Sequence, residues 1–148
     1  MGGSVTLLSM LFITLIGYWF GAKYGMVTGA AFGLLQFLIN PYMLSLPQVL
    51  LDYPLAFGAL GLAGLFNKKK WGLQIGYAVG VLGRFIFATI SGVVFFSSYA
   101  PEGMNPLAYS AGYQASYLLP EAIITLLLIS IPQVANAITR VRVQAIEA

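Results

Sequence analysis

Cysteine and histidine are both absent from this chain of 148 residues, and only Asp52, Glu102, Glu121 and Glu147 carry a carboxylate side chain. The first absence removes a disulfide framework and a thiol nucleophile; the second removes the commonest metal ligand and proton relay. A glycine-rich loop of the kind that cradles nucleotide phosphates is missing as well. Most enzyme classes therefore lose their starting material, and no metal or organic cofactor has an evident ligand set. Charge of either sign is scarce: 7% of residues are charged against 59% hydrophobic, a ratio that cannot clothe a soluble domain of this size. With a mean hydropathy of +0.88, the chain reads as a single all-α integral membrane domain over residues 1–148. Net charge is +3, but six of the seven basic residues fall near the ends of apolar segments, where they signal orientation in a lipid bilayer rather than a nucleic-acid surface.

What the sequence does have is organised around residues 48–66, QVLLDYPLAFGALGLAGLF. Nineteen residues with Asp52 as their only charge suffice to cross a hydrocarbon layer about 30 Å thick at about 1.5 Å per residue. An aspartate inside a membrane helix costs roughly 2.5 to 3.5 kcal/mol on insertion scales, so it is expected to face a partner, a cavity or a ligand. Pro54 leaves a main-chain carbonyl without its helical donor and bends the segment. Below it, Gly58, Gly61 and Gly64 allow close approach of neighbouring helices.

Four further segments flank this one. Residues 5–20 form an apolar helix, without the basic flank or small-residue cleavage site of a signal peptide. Residues 25–39 form a second, and Gly17, Gly21, Gly25, Gly29 and Gly33 recur at every fourth position across the two as a packing face. The uncharged, proline-flanked NPYMLSLP stretch (40–47) is a loop before the central helix. Residues 71–98 form a long span with Arg84 in its middle; YAPEGMNP (99–106) is a structured turn. Residues 107–138 form a last span, expected to kink at Pro120 and Pro132. With five spans, Lys23, Lys68, Lys69, Lys70, Arg140 and Arg142 all share one side, which is then cytoplasmic. The amino terminus, NPYMLSLP and YAPEGMNP lie outside.

Depth along these spans gathers Asp52 with Phe95, Phe96, Tyr109, Tyr113 and Gln114 near the outer surface, and Tyr42 in the loop above. One carboxylate, several aromatic faces and an amide at one level suit a flat organic cation. An aromatic belt with a snorkelling aspartate is the plainer alternative. Arg84 and Glu121 share a depth near mid-membrane, where a solitary charge is costly, so the pair reads as a structural ion pair; a proton or ion pathway is the sharper alternative. An intramembrane aspartic protease needs two carboxylates at one site, and Asp52 and Glu121 differ in depth.

The runs LLDYPLAFGALGLAGLF, GRFIFATISGVVFFSSYAPEGMNP and LAYSAGYQASYLLPE resemble the thiamine-specific S-components of energy-coupling-factor vitamin transporters of Firmicutes-type bacteria, and the similarity covers nearly the whole chain. The resemblance implies a helix bundle in the bacterial plasma membrane that takes thiamine from outside. It also implies docking with a transmembrane coupling subunit and two ATPase subunits, so that the chain itself is no enzyme. By the same resemblance, Asp52 and Tyr53 meet the aminopyrimidine, Phe96 forms the platform for the thiazolium, and Tyr109 and Tyr42 complete the site. The chain departs from the family at Ala88, where relatives carry a histidine, and at Gln114 and Ala115, where they carry asparagine and glycine; both changes sit on implied ligand contacts. Five transmembrane helices, the family bundle of six lacking its first, are expected here, with the amino terminus outside and the carboxy terminus cytoplasmic. An altered or degenerate S-component that takes another small heteroaromatic molecule, or one uncoupled from its partners, is the rival reading.

Overall fold

The computed structural model describes residues 8–148, and every described element is helical or a connecting turn. We number them α1 (Ser9–Phe20), α2 (Ala22–Ile39), α3 (Leu46–Phe66), α4 (Gly72–Phe95), α5 (Pro106–Ser130) and α6 (Pro132–Glu147). Four of them, α2 to α5, are long and apolar enough to cross a bilayer, and α1 is a shorter apolar helix over its described residues. The expected first helix begins at position 5, so its first three residues lie outside the described part.

The central segment does organise the bundle, since α3 packs against α1, α2 and α4. Its interior is irregular for identifiable reasons. Pro54 has no N–H to continue the ladder, and the chain widens into a π-turn over Leu51–Leu55, closed by the Ala56 amide donating to the Leu51 carbonyl. Below Gly58 the helix tightens into a 3-10 form over Ala59–Phe66. The glycine ladder is what the two neighbours use. In α2 only Gly25, Gly29 and Gly33 are buried, and they lie against the α3 backbone at Gly61, Phe57 and Tyr53 in turn. A methyl group on Gly25 would come within 2.8 Å of the Gly61 Cα, so these backbones touch where larger residues would hold them apart. Gly21, at φ +106°, is the single-residue joint that sends the chain from α1 into α2. Lys23 consequently falls in the first turn of α2 rather than in a loop.

The last apolar stretch differs from the expected single kinked span to position 138. Pro120 is accommodated within α5, whereas the helix stops at Ser130, Ile131 adopts an extended conformation and α6 starts at Pro132. The residue before a proline is disfavoured in helical geometry. After Pro120 and Glu121 the sequence AIITLLLI stays apolar, and breaking the helix there would expose main-chain polar groups to hydrocarbon. Beyond Pro132 the chain turns polar, water can satisfy the freed groups, and the break is tolerated. The shared core is built from Met10, Ile13 and Leu15 of α1, Leu60 of α3, Tyr77 and Val81 of α4, and Leu118 and Ile129 of α5.

Candidate functional site

The loop before α3, the π-turn and the C-terminal part of α4 converge on Asp52. Ser45 caps α3 by accepting from the Gln48 amide at 3.3 Å, and Pro47 occupies its first turn. This fixes Gln48, one turn before Asp52 and almost wholly buried. Its side chain then works in three directions. Nε2 donates to Asp52 Oδ2 at 2.6 Å and to the Tyr42 carbonyl at 3.4 Å, while Oε1 accepts from the Leu44 amide at 3.0 Å. Gln48 thereby ties the carboxylate to the loop carrying Tyr42. Glutamine and aspartate four apart on one helix face is a recognisable pairing, so this residue was legible in the sequence though the expected site omits it. Ser91 of α4, fully buried, approaches the same carboxylate; its hydroxyl has no partner in hydrogen-bonding geometry among the described residues.

Aromatic groups close the site above. The ring of Tyr42 stacks on that of Phe96, with centroids 5.8 Å apart and planes 23° from parallel, and Tyr99 leans on Phe96 at 6.0 Å. The Tyr42 phenol is held above its ordinary range by a hydrogen bond to Tyr99, so it remains a neutral hydroxyl at the mouth. Tyr53 turns to the α2 side of the bulge, where its hydroxyl donates to the Asn40 carbonyl at 3.4 Å and its ring meets Phe37 edge-on at 5.2 Å. Tyr109 lies partly buried in the first turn of α5, behind the Asn105 cap and Pro106.

Gln114 is buried between α4 and α5. Its Nε2 donates to the Ala88 carbonyl at 3.2 Å, and its Oε1 accepts from the Tyr117 hydroxyl. The two positions singled out in the sequence thus touch one another, through the Ala88 main chain. One turn away, Ser110 Oγ donates to the Thr89 carbonyl at 3.0 Å, so the α4–α5 seam beside the site is held by two side chain to main chain bonds. Tyr117 is near enough to interact electrostatically with both Asp52 and Arg84.

Deeper in the bundle, the Arg84 guanidinium sits over the ring of Phe57, 4.3 Å from its centroid, a cation–π arrangement. It interacts electrostatically with Glu121, Tyr77 and Tyr117. The Glu121 carboxylate, 2% exposed, accepts from Ser9 Oγ at 3.1 Å and from the Met10 amide at 3.3 Å. These last two bonds anchor the start of α1, a role that depth along the helices did not reveal.

Apolar spans around a carboxylate that is braced by an amide and roofed by stacked aromatic rings define a membrane-embedded small-molecule carrier or receptor. The chain belongs to the thiamine transporter family: residues 1–140 match the family model described as Thiamine transporter protein (Thia_YuaJ). This is a family of transport proteins rather than enzymes. The thiamine transporter ThiT of Bacillus subtilis (strain 168) is 39% identical over 137 residues, 83% of this chain and 71% of that protein. The thiamine transporter ThiT of Lacticaseibacillus paracasei is 32% identical over 97 residues, 57% of this chain and 48% of that protein. A solved structure of ThiT from Listeria monocytogenes superposes with a TM-score of 0.68 at 25% identity, covering 90% of this chain and 84% of that one.

Proposed function

We propose that this chain binds thiamine from the extracellular side, as the substrate-specific subunit of an energy-coupling-factor importer whose ATP hydrolysis is performed by partner subunits. The observation that carries the reading is the junction of Asp52, Gln48, Tyr42 and Phe96. Thiamine offers an aminopyrimidine whose amino group donates hydrogen bonds and a thiazolium with a permanent positive charge. Gln48 occupies one oxygen of Asp52 and leaves the other as the acceptor for the amine. Phe96, with Tyr42 already stacked on it, supplies the face for the cation. Tyr53 occupies the neighbouring place in the bulge, and Tyr109 and Gln114 flank the ring system from α5. Calorimetric titration of the purified protein in detergent tests this directly, because both tryptophans, Trp19 and Trp71, sit at the opposite end of the bundle and are poor reporters for quenching. Thiamine should bind with a 1:1 stoichiometry, and uptake of labelled thiamine by cells should vanish when the ATPase subunits are deleted. No heat on titration removes thiamine as the ligand; uptake that survives the deletion removes the coupling.

The orientation belongs to the same reading. Lys23, Lys68, Lys69, Lys70, Arg140 and Arg142 cluster at the end of the bundle away from Asp52 and are assigned to the cytoplasm, which turns Tyr42 and the 99–106 turn outward. A cysteine placed at Glu102, exposed in that turn, should react with an impermeant maleimide in intact cells. Reaction only after permeabilisation inverts the bundle and closes the outward route.

A further inference from the structure

The lysine-bearing end contains a cavity, remote from Asp52, where four elements meet. It has a volume of about 190 Å³ and is walled by Tyr18 at the end of α1, Lys69 and Trp71 in the α3–α4 turn, Gln74 of α4 and Thr139 of α6. Lys69 lines it and Arg142 stands against its Tyr18 wall, each cation resting on an aromatic ring. Lys69 Nζ lies 5.3 Å from the centroid of Phe66, and the Arg142 guanidinium lies 5.1 Å from that of Tyr18, itself a wall of the cavity. Rings hold a cation in place without neutralising it, so both keep their full attraction for an anion. Gln74 and Thr139 spend their donors on the main chain, at Ile129 O (3.0 Å) and Ala135 O (2.9 Å), and serve as walls. No side chain caps the start of α4 at Trp71; the Gly72 amide donates to the Lys69 carbonyl at 2.9 Å, which fixes the turn that carries Lys69. Trp71 itself is held at φ +59°, 59% exposed, at the lip.

We infer that this cavity is a binding site for a phosphate-ester anion, with the headgroup of an acidic phospholipid as its occupant at the membrane surface. The volume admits a phosphate group with part of its ester substituents, and basic pockets between membrane helices on the lysine-rich side are suited to such headgroups. The flanking faces of α4 and α6 present Ile75, Val143 and Ile146 outward, where acyl chains can lie.

The test uses the full chain in a neutral detergent, titrated with dioleoyl phosphatidylglycerol, with dioleoyl phosphatidylcholine, and with inorganic phosphate, while its thermal unfolding is followed. Phosphatidylglycerol should raise the midpoint and phosphatidylcholine should not. Lys69→Gln with Arg142→Gln should weaken the phosphatidylglycerol response by about tenfold or more in half-saturating concentration, whereas Lys68→Gln with Lys70→Gln, equal in charge removed, should leave it within about twofold. Stabilisation by thiamine, measured on both double variants, shows that they remain folded; should the first pair fail to fold, the single variants Lys69→Gln and Arg142→Gln carry the same comparison, each weakening the response by about threefold or more. A response to inorganic phosphate equal to that of the lipid keeps the site and assigns it to a soluble phosphate. Equal losses in the two double variants, or an equal response to phosphatidylcholine, overturns the inference in favour of diffuse attraction or none.

Discussion

Asp52→Asn is expected to weaken thiamine binding by roughly ten- to a hundredfold while the empty bundle stays folded. A hydrogen bond to a charged group is typically worth ~1.5 to 3 kcal/mol, and each 1.4 kcal/mol is about tenfold in affinity. The carboxylate sits within α3, where its protein partners are an amide and a nearby hydroxyl rather than a basic group. Removing its charge from the empty protein therefore relieves a desolvation cost without stranding a cation. A carboxylate serving an internal ion pair behaves in the opposite way, since neutralising it leaves its partner unpaired. The two roles differ in the sign of the stability change. Thermal unfolding of wild type and Asp52→Asn, each with and without thiamine, reads both signs at once. Equal thiamine-induced stabilisation of the two proteins takes Asp52 out of the site. A lower midpoint of the variant without ligand gives Asp52 a structural role instead.

The spans and the chemistry of this site were legible in the sequence to different depths. Hydropathy located α2 to α5, because a membrane helix must be continuously apolar whatever its neighbours are. The four-residue glycine spacing identified a packing face on α2, yet only the folded chain shows that its partner is the α3 backbone from Gly61 up to Tyr53. A spacing rule describes one surface and is silent about the other. Pro54 announced a disturbance in α3, but not that it would take the form of a π-turn; that choice depends on the ladder finding a donor one residue further along. Pro120 and Pro132 looked alike in sequence and behave differently, since lipid enforces helix continuity at the first and water releases it at the second. Gln48 is neither charged nor aromatic and so stands outside the constellation that depth gathers, although its place four residues before Asp52 carries the signal. The contact of Gln114 with Ala88 was beyond reach for another reason: two substitutions far apart in the chain become one feature only when α4 and α5 pack.

The largest effect on stability is expected at Glu121. Its carboxylate is buried in α5 and holds the start of α1 through Ser9 and the Met10 amide, and it interacts electrostatically with Arg84, whose guanidinium is stacked on Phe57. Glu121→Leu removes both services together. The Met10 amide loses an acceptor in a region without water, and a positive charge is left inside the bundle without its counter-charge. Breaking a buried pair by removing one partner typically costs about 3 to 5 kcal/mol, whereas removing both charges is often close to neutral. Arg84→Met keeps the apolar length of the side chain against Phe57, so the double variant Glu121→Leu with Arg84→Met should recover much of what the single change loses. Denaturant unfolding in detergent across the four proteins gives the coupling as the departure from additivity. Strict additivity would show that Arg84 and Glu121 are electrostatically independent, with Phe57 and the neighbouring Tyr77 and Tyr117 stabilising the guanidinium. A strong positive recovery instead makes the pair a single charge-balanced unit, placed on α4 and α5 beneath the ligand site, and explains how an arginine is tolerated halfway across an apolar helix.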